Sequence, residues 1–453
     1  MATGVAPEPE DGTVVLPDWA MLDRIFCSQL HDGIDAAREA VNKNKTAALV
    51  KIDSGHSCFV SFTLASPPQA SSFNLRWPEK QGSDRSTLFA FIRATDKDLV
   101  LFQVSIPDRI RYLDAPPDLF VYTAAGPPPS VQQLPHRRTK RFLAHKFTTG
   151  ILQLEAEDRY IVADLNVHPE KKGARAELCV LNSDTREWRI IPEVPAGHLP
   201  DLWWTDEVLA FDGRFLCWVD YFSGVVLCDF AKNIDSQVLH FVPFPLRIKY
   251  RHEARFPRYF PGRFRSVSIS QGMMRYVHID NDFHETIYND CHQPKRPKRS
   301  PEQRQRPKKI TIWTFNMTDG NFKFEWEVHR VINLDCLWAQ FGYQALGLPR
   351  RLPEFPIVSV GDPDVMCCLL RKKEFEGKAW MIMVDMNHVY LRSYTPYINR
   401  QSYYAKCVDT GCAVCVKDKN MFPNMTLLPT VFSKYLKGQQ EVATRSSLNI
   451  QMM

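Results

Sequence analysis

The chain has 453 residues, of which 44% are apolar and 24% charged, and 57 basic against 51 acidic side chains give a net charge of +6. This composition excludes a chain that is disordered throughout, a collagen-like chain and a coiled coil. The longest apolar runs, VMCCLL and WMIMV, are far shorter than the roughly 20 residues of a membrane-spanning helix, and no apolar stretch follows Met1 as in a secretory signal. We therefore expect a soluble intracellular protein, nuclear or cytoplasmic, with no membrane partner.

The first 45 residues predict a leader with one short helix. Residues 1–12 are small, acidic and proline-containing, which favours a flexible segment, whereas DGIDAAREAVNKNK (32–45) has the spacing and alanine content of a helix. After Lys45 the apolar residues alternate with period two in short segments bounded by Pro, Gly, Asp or Ser. That pattern predicts strands and turns from there on.

A unit of strand, turn and strand recurs five times along the chain. Each copy has an apolar strand, a polar turn and a second strand rich in aromatic residues; the copies lie at 118–135, 176–192, 224–245, 309–328 and 378–397. Further strands precede each copy, so the predicted module is a four-stranded antiparallel sheet. One such sheet cannot cover both of its faces, and stacking the modules around an axis buries them.

We predict an all-β fold, a propeller-like array of five or six four-stranded blades. A sixth blade would combine strands within 46–77 with the region 407–431 and so join the two ends of the chain. The alternative is a pair of β-sandwiches. The predicted organisation is a leader over 1–45, a propeller-like domain over 46–432 with an insertion at 281–309, and a tail over 433–453.

The segment WWTDEVLAFDGRFLCWVDYFSGVVLCD (203–229) resembles a plant family, abundant in grasses, called domain of unknown function 1618. LPDWAMLDR, FNLRWPE, PEFPIVSVGDPDV and KAWMIMVDMNHVYLRSYTPY extend the resemblance over about residues 17–397. The family is more distantly similar to the propellers that follow F-box segments in plant proteins, although LPDWAMLDRIF is too short for an F-box. The resemblance implies no activity and transfers no catalytic or binding residue.

The sequence has none of the strong catalytic patterns: no G-x-S-x-G, no Walker loop, no G-x-G-x-x-G after a strand and no H-E-x-x-H. We therefore predict a protein that is not an enzyme, with no catalytic residue and no cofactor. The paired carboxylates Asp362 and Asp364 lie in GDPDV, a turn-forming composition between apolar strands. The alternative is an enzyme with a site in the propeller channel, built from titratable groups of different blades.

Two clusters have zinc-ligating residue types without a zinc-site spacing. Strand positions three apart face opposite sides, which separates Cys412 from Cys415, and the second cluster fits no zinc finger. The first cluster comprises Cys407, Cys412 and Cys415, and the second comprises His284, Cys291 and His292. We predict no metal at either cluster. We predict buried, reduced thiols for the cysteines within apolar runs, among them Cys217, Cys228, Cys367 and Cys368.

The charge excess is concentrated in residues 295–309, KRPKRSPEQRQRPKK, with eight basic residues and one Glu. Without this tract the chain has 49 basic and 50 acidic residues, a net charge of −1. Its prolines predict an exposed, extended loop. The clusters resemble a nuclear import signal read by an import receptor, with contacts from Lys295, Arg296, Lys298, Arg299, Lys308 and Lys309. A phosphate-binding tract and a solvated loop without a partner are the alternatives.

The stretch KYRHEARFPRYFPGRFR (249–265) mixes six Lys and Arg with five Tyr and Phe. We interpret it as a connection between blades whose aromatic rings pack inward while the arginines stay in solvent. The alternative is stacking of these side chains on nucleic-acid bases. The sequence thus predicts a module that binds a protein partner, still unidentified, and its alternative is a nucleic-acid-binding protein using 295–309 and 249–265.

Overall fold

The computed structural model describes most of the chain, in segments separated by gaps. The described residues are 16–52, 55–79, 89–105, 118–126, 128–136, 148–154, 159–170, 174–196, 199–200, 202–232, 237–246, 261–280, 308–318, 323–372, 378–397 and 427–436. Among the helices of these segments, none is long and apolar enough to cross a membrane.

The chain begins with five strands and a helix. These are β1 (Ala20–Leu22), β2 (Cys27–Asp32), α1 (Gly33–Glu39), β3 (Ala48–Lys51), β4 (Ser57–Thr63) and β5 (Ala70–Glu79). The helix lies inside the segment predicted to be helical, and its buried Ala37 packs with Val41 and with Phe59 of β4.

Five four-stranded antiparallel sheets follow, each made of consecutive strands. Blade 1 comprises β6 (Phe89–Asp96), β7 (Leu99–Ser105), β8 (Asp118–Thr123) and β9 (Ser130–Gln133), and blade 2 comprises β10 (Thr149–Gln153), β11 (Tyr160–Pro169), β12 (Ala174–Asn182) and β13 (Trp188–Ile191). Blade 3 comprises β14 (Glu207–Phe211), β15 (Phe215–Asp220), β16 (Gly224–Asp229) and β17 (Leu239–Pro243), and blade 4 comprises β18 (Arg265–Ser270), β19 (Met273–Ile279), β20 (Lys309–Thr318) and β21 (Lys323–Asn333). Blade 5 comprises β22 (Glu354–Val358), β23 (Val365–Arg371), β24 (Ala379–Asp385) and β25 (Tyr390–Tyr397). The five predicted hairpins are the third and fourth strands of these blades.

A sixth sheet joins the two ends of the described chain. β26 (Leu428–Thr430) pairs antiparallel with β1, and β1 pairs parallel with β5, in the order β26-β1-β5-β4-β3, with β2 added beside β5. This closing sheet confirms the predicted union of the two ends, but it has six strands instead of four. β1 and β2 come from the predicted leader, so this described part of the leader belongs to the ring.

Apolar side chains fill every interface between neighbouring sheets, which closes the sheets into a six-bladed β-propeller. The clusters pair residues of consecutive sheets: Phe73 with Phe102, Val121 with Ile151, Leu178 with Trp218, Val225 with Tyr276, Ile312 with Val358, and Ile357 with Met21. The predicted all-β propeller is therefore confirmed, with six blades, and the β-sandwich alternative is wrong.

Successive side chains of a strand point to opposite faces of the sheet, so each blade contributes to the interfaces with both neighbouring blades. In β15, Leu216 and Trp218 face blade 2, whereas Cys217 and Val219 face blade 4. All six residues of this strand are buried because both faces are covered. The apolar run RFLCWVD is therefore the pattern of an inner strand that is buried on both faces.

Two short helices connect blades 4 and 5. They are α2 (Leu334–Ala339), which begins after an Asn333 side chain that accepts a hydrogen bond from the Asp335 N–H, and α3 (Phe341–Ala345). Leu337, Trp338 and Tyr343 of this pair are buried in the cluster between blades 4 and 5. The sequence analysis did not predict these helices.

Candidate functional site

Charged side chains from several sheets contact one another at or near the first strands of the blades. Arg24, directly after β1, donates hydrogen bonds to the backbone oxygen of Arg93, at 3.1 Å, and to the Glu207 carboxylate. The Tyr221 hydroxyl donates to the other Glu207 oxygen at 3.3 Å. Arg24 and Arg93 are only 2% and 1% exposed. These contacts join the closing sheet to blades 1 and 3.

Burial sets the protonation of this cluster. Burial lowers the pKa of Arg93 to about 10. The negative charge of Asp164 in blade 2 raises this pKa, and the positive charge of Arg24 lowers it further. Arg93 therefore stays cationic at neutral pH and donates from Nε to Gln103 Oε1 at 3.1 Å. Burial, together with Glu207, raises the pKa of Tyr221 well above its usual range. Tyr221 thus stays a neutral hydrogen-bond donor.

Further arginines continue this arrangement around the ring. Arg265, at the start of β18, donates to the backbone oxygen of Tyr221 at 2.9 Å. Arg263 and Arg371 both donate to Glu354, at 2.6 Å and 3.0 Å. These contacts join blade 3 to blade 4, and blade 4 to blade 5. We call these arginines the arginine collar; they are Arg24, Arg93, Arg263, Arg265 and Arg371.

The arginine collar fastens blades together. Its arginines bind carboxylates, a side-chain amide or backbone oxygens of other strands, and all of them are buried except Arg263, whose side chain is 12% exposed. Within the described parts of the chain, no group of three or more His, Cys, Asp or Glu side chains could hold a metal ion. The titratable groups that a channel enzyme requires do converge, but burial and mutual bonding favour a structural role.

Six exposed apolar side chains lie on the outer strands of blades 4 and 5 and on the helical connection between these blades. Phe341, the first residue of α3, is 86% exposed, and Val328 and Val331 on β21 are 60% and 50% exposed. Leu346, Tyr390 and Tyr394 are each about 40% exposed, and α3 contacts β25 while α2 contacts β21. We call these six residues the corner patch.

The predicted import residues are divided by the fold. Lys309 begins β20, and the Lys308 ammonium lies 5.4 Å from the centre of the Trp338 ring while its backbone oxygen accepts from the Leu334 N–H at 2.9 Å. The extended loop predicted over 295–309 is therefore wrong for Lys309, which begins β20, and Lys308 directly precedes that strand. Lys295, Arg296, Lys298 and Arg299 lie outside the described residues.

The arginine-rich stretch 249–265 also differs from its prediction where the structure describes it. Arg263 and Arg265 belong to the arginine collar, and Arg265 is only 3% exposed. They neither stay in solvent nor offer their guanidinium groups to bases, because strand β18 and its neighbours enclose them. Residues 249–260 lie outside the described part.

Where the structure describes the remaining predicted sites, they have the structural roles that the sequence predicted for them. Asp362 and Asp364 form a turn in which the Asp362 carboxylate accepts from the Asp364 N–H at 3.0 Å, and Asp364 pairs with Arg330 at 2.7 Å. Free, buried thiols are confirmed for Cys217, Cys228, Cys367 and Cys368. Outside the described residues lie Cys407, Cys412, Cys415, His284, Cys291 and His292.

Residues 218–367 match the family described as Protein of unknown function (DUF1618). We call this part of the chain the DUF1618 segment. The match confirms the predicted resemblance over these residues; the plant origin stays a prediction. The DUF1618 segment runs from β15 to β23 and so includes all of blade 4, helices α2 and α3, and Phe341. No curated protein matches the chain.

Several solved structures are weakly similar to the whole chain. The WD40 domain of SCAP from fission yeast is 11% identical, with a TM-score of 0.32 and coverage of 76% of this chain and 72% of that one. Sqt1 from Chaetomium thermophilum is 11% identical, with a TM-score of 0.31 over 83% and 74% of the two chains. A polysaccharide lyase, the PL25 ulvan lyase, is 10% identical, with a TM-score of 0.30 over 67% and 81%. The fold assignment depends on the sheet topology described above, and these weak similarities add nothing to it.

Sequence reasoning missed both the arginine collar and the corner patch. A signal existed for each of them. In AMLDRIF two charges interrupt an apolar run, which indicates a buried pair. In NLDCLWAQFGYQALG, Leu334, Leu337, Trp338 and Phe341 have helical spacing.

Proposed function

We propose that this protein is an interaction module that binds a protein partner through the corner patch. The observation that carries the proposal is Phe341, which is 86% exposed at the start of α3, on the part of the ring that also has the five other exposed apolar side chains. Leaving a phenylalanine in water forgoes about 1.5–3 kcal/mol of burial free energy. Clustered exposed apolar residues mark interaction sites, and buried aromatic anchors supply much of the binding energy of protein interfaces.

The scaffold supports this role because it holds the patch rigidly. α2 and α3 are anchored through Leu337, Trp338 and Tyr343, which are at most 6% exposed. Binding by a pre-organised surface loses less conformational entropy than binding by a loop that must first order. Four of the six residues of the patch, those from Val328 to Leu346, also lie within the DUF1618 segment.

Replacing Phe341 with serine is expected to weaken partner binding about tenfold or more, because it removes the most exposed apolar group of the patch. Quantitative affinity capture with the full chain measures this loss. Ile190→Ser, at a 42% exposed position on blade 2, is the matched control. The free energy of unfolding should change by no more than about 0.5 kcal/mol in either variant. Equal recovery of partners by both variants would remove the corner patch as the site.

We also propose that the basic tract places part of the protein in the nucleus. In a fluorescent fusion, changing Lys295, Arg296, Lys298 and Arg299 to alanine is expected to lower the nuclear fraction. Lys308 and Lys309 are left intact because Lys309 begins β20 and Lys308, directly before it, lies against Trp338. Removing four charges from HRRTKR at residues 136–141 is the matched control. A nuclear fraction that both variants leave unchanged, or lower equally, would contradict the import signal.

A further inference from the structure

The turn between β22 and β23 of blade 5, residues 359–364, is bound by two parts of blade 4. Ser270, at the end of β18, donates from its hydroxyl to the Ser359 backbone oxygen at 2.6 Å. Arg330, on the outer strand β21, donates to the carboxylate of Asp364 at 2.7 Å. Blade 5 is therefore held against blade 4 at both an inner and an outer strand.

A β-bulge directs His329 toward the same carboxylate. The pairing of β21 with β20 shifts by one residue here, so Val328 and Arg330 oppose consecutive residues of β20 and His329 opposes none. Such bulges re-aim side chains. The ring nitrogen Nε2 of His329 lies 3.3 Å from Oδ1 of Asp364, the oxygen that Arg330 binds. Two neighbouring side chains of blade 4 thus share one carboxylate oxygen of blade 5.

Charged groups of both blades surround this contact. Those that act directly on the ring of His329 are two cations and one anion: Arg275 of β19, Arg330 and Asp364. The carboxylates two positions away from His329 and from Asp364 have partners of their own. Glu327 accepts a hydrogen bond from an asparagine amide of β20 at 2.8 Å. Asp362 lies 3.4 Å from Arg392 of β25. This leaves Asp364 to balance both arginines.

Arg275 makes an additional positive charge costly at this place. Its side chain is 7% exposed, and in the described part of the chain it donates to the Thr314 hydroxyl and forms no ion pair. A buried cation without a paired carboxylate has little water around it to screen its charge. The side chain of His329 is 22% exposed. Water therefore screens only part of the repulsion between a charged imidazole ring and Arg275.

The fold favours the neutral form of this ring. Burial and, next to it, Arg275 lower the pKa of His329 from its usual 6.5; Asp364 raises it and Arg330 lowers it again. In the unfolded chain the ring takes up its proton near pH 6.5, so proton uptake below that pH favours the open state. The stabilising effect of the neutral ring is complete above about pH 6.5 and is lost as the pH falls toward the lowered pKa.

We propose that His329 is a pH-sensitive switch that controls the contact between blades 4 and 5. With a neutral ring, Asp364 holds the 359–364 turn on β21. With a protonated ring, three cations face one carboxylate, and the outer strand separates from the turn. The switch itself does not depend on partner binding. Because Val328 and Val331 of the corner patch lie on either side of His329 in β21, its opening also displaces that patch, a consequence that rests on the proposed function.

Hydrogen exchange of the full chain, corrected for the intrinsic effect of pH on exchange, tests the switch. Between about pH 7.5 and about pH 5.5, amides of β21 and of the 359–364 turn should lose protection about threefold or more relative to those of blade 2. In His329→Gln, whose side chain cannot be protonated, this loss should disappear. Unchanged or higher protection of β21 in acid would overturn the proposal.

His388→Gln is the matched control. His388 also lies 3.3 Å from a carboxylate, that of Asp385, but its side chain is 73% exposed. This variant should keep the acid response of the unaltered chain. An acid response that persists in His329→Gln would overturn the switch, and so would one that His388→Gln removes equally.

Arg275→Met keeps the test decisive if His329→Gln does not fold. Removing the buried cation raises the pKa of His329, so the folded and unfolded chains differ less in their affinity for the proton. The acid response of β21 should therefore be smaller than in the unaltered chain. An undiminished response in a folded Arg275→Met variant would overturn the proposal.

Discussion

Replacing Arg24 with alanine is expected to lower the free energy of unfolding by about 3–5 kcal/mol. The substitution leaves the buried Glu207 carboxylate without its arginine and the Arg93 backbone oxygen without its donor. A buried charge that loses its partner keeps its desolvation penalty, which makes the loss large. Urea unfolding followed by tryptophan fluorescence measures the change.

Arg38→Ala is the control for this experiment. Arg38 also pairs with a carboxylate, Asp35, at 2.8 Å, but the two side chains are 60% and 87% exposed. Such pairs contribute about 0–1 kcal/mol. A double variant with Arg24→Met and Glu207→Leu should recover most of the loss, since it removes both charges. A loss at Arg24 no larger than that at Arg38 would contradict the collar as a fastening between blades.

Replacing Phe432 with alanine is expected to cost about 3–5 kcal/mol, the usual range for truncating a buried phenylalanine. The side chain is fully buried, and its ring centre lies 4.5 Å from that of Phe62 in the closing sheet and 6.4 Å from that of Tyr122 in blade 1. The truncation leaves a cavity at the seal between the first and last parts of the ring. Urea unfolding gives the total loss.

Hydrogen exchange shows where the ring opens in this variant. Amides of β1 and β26 should exchange faster than those of blade 3, because the seal supports the closing sheet. Tyr435→Ala, three residues away and 37% exposed, is the control and should cost less than about 1 kcal/mol. Uniform acceleration over all blades would show that the seal does not limit local opening.

The repeated architecture could be predicted because its signal is local. An inner strand such as β15 is apolar on both faces, and a polar turn ends each hairpin, so each blade is recognisable within its own segment. The short helices α2 and α3 were missed because Val328 and Val331 before them continue the strand pattern. The helical spacing that follows occupies only a few turns.

The arginine collar could not be predicted because its partners are distant in sequence. Arg24 and Glu207 are 183 positions apart, and Arg263 and Glu354 are 91 apart. From its composition, a stretch as rich in arginine as 249–265 is expected to be exposed to solvent. Only the ring geometry shows that Arg265 starts a strand enclosed by neighbouring blades, and that Arg263 just before it binds Glu354 of blade 5. The corner patch was equally hidden, since exposure of Phe341 depends on where α3 is anchored.

The closing sheet imposes an order on biosynthesis. Met21 of β1 pairs with Pro429 of β26, so 408 residues separate the two partners. At about 5–20 residues per second, a ribosome needs roughly 20–80 s between them. During that interval blades 1 to 5 can stack in sequence, while the strand that completes the ring has not yet been made. A nascent chain therefore exposes the edge of β1 that pairs with β26, and the side of the Phe62 ring that Phe432 covers, until β26 and Phe432 have been made, which makes this edge a target for chaperones.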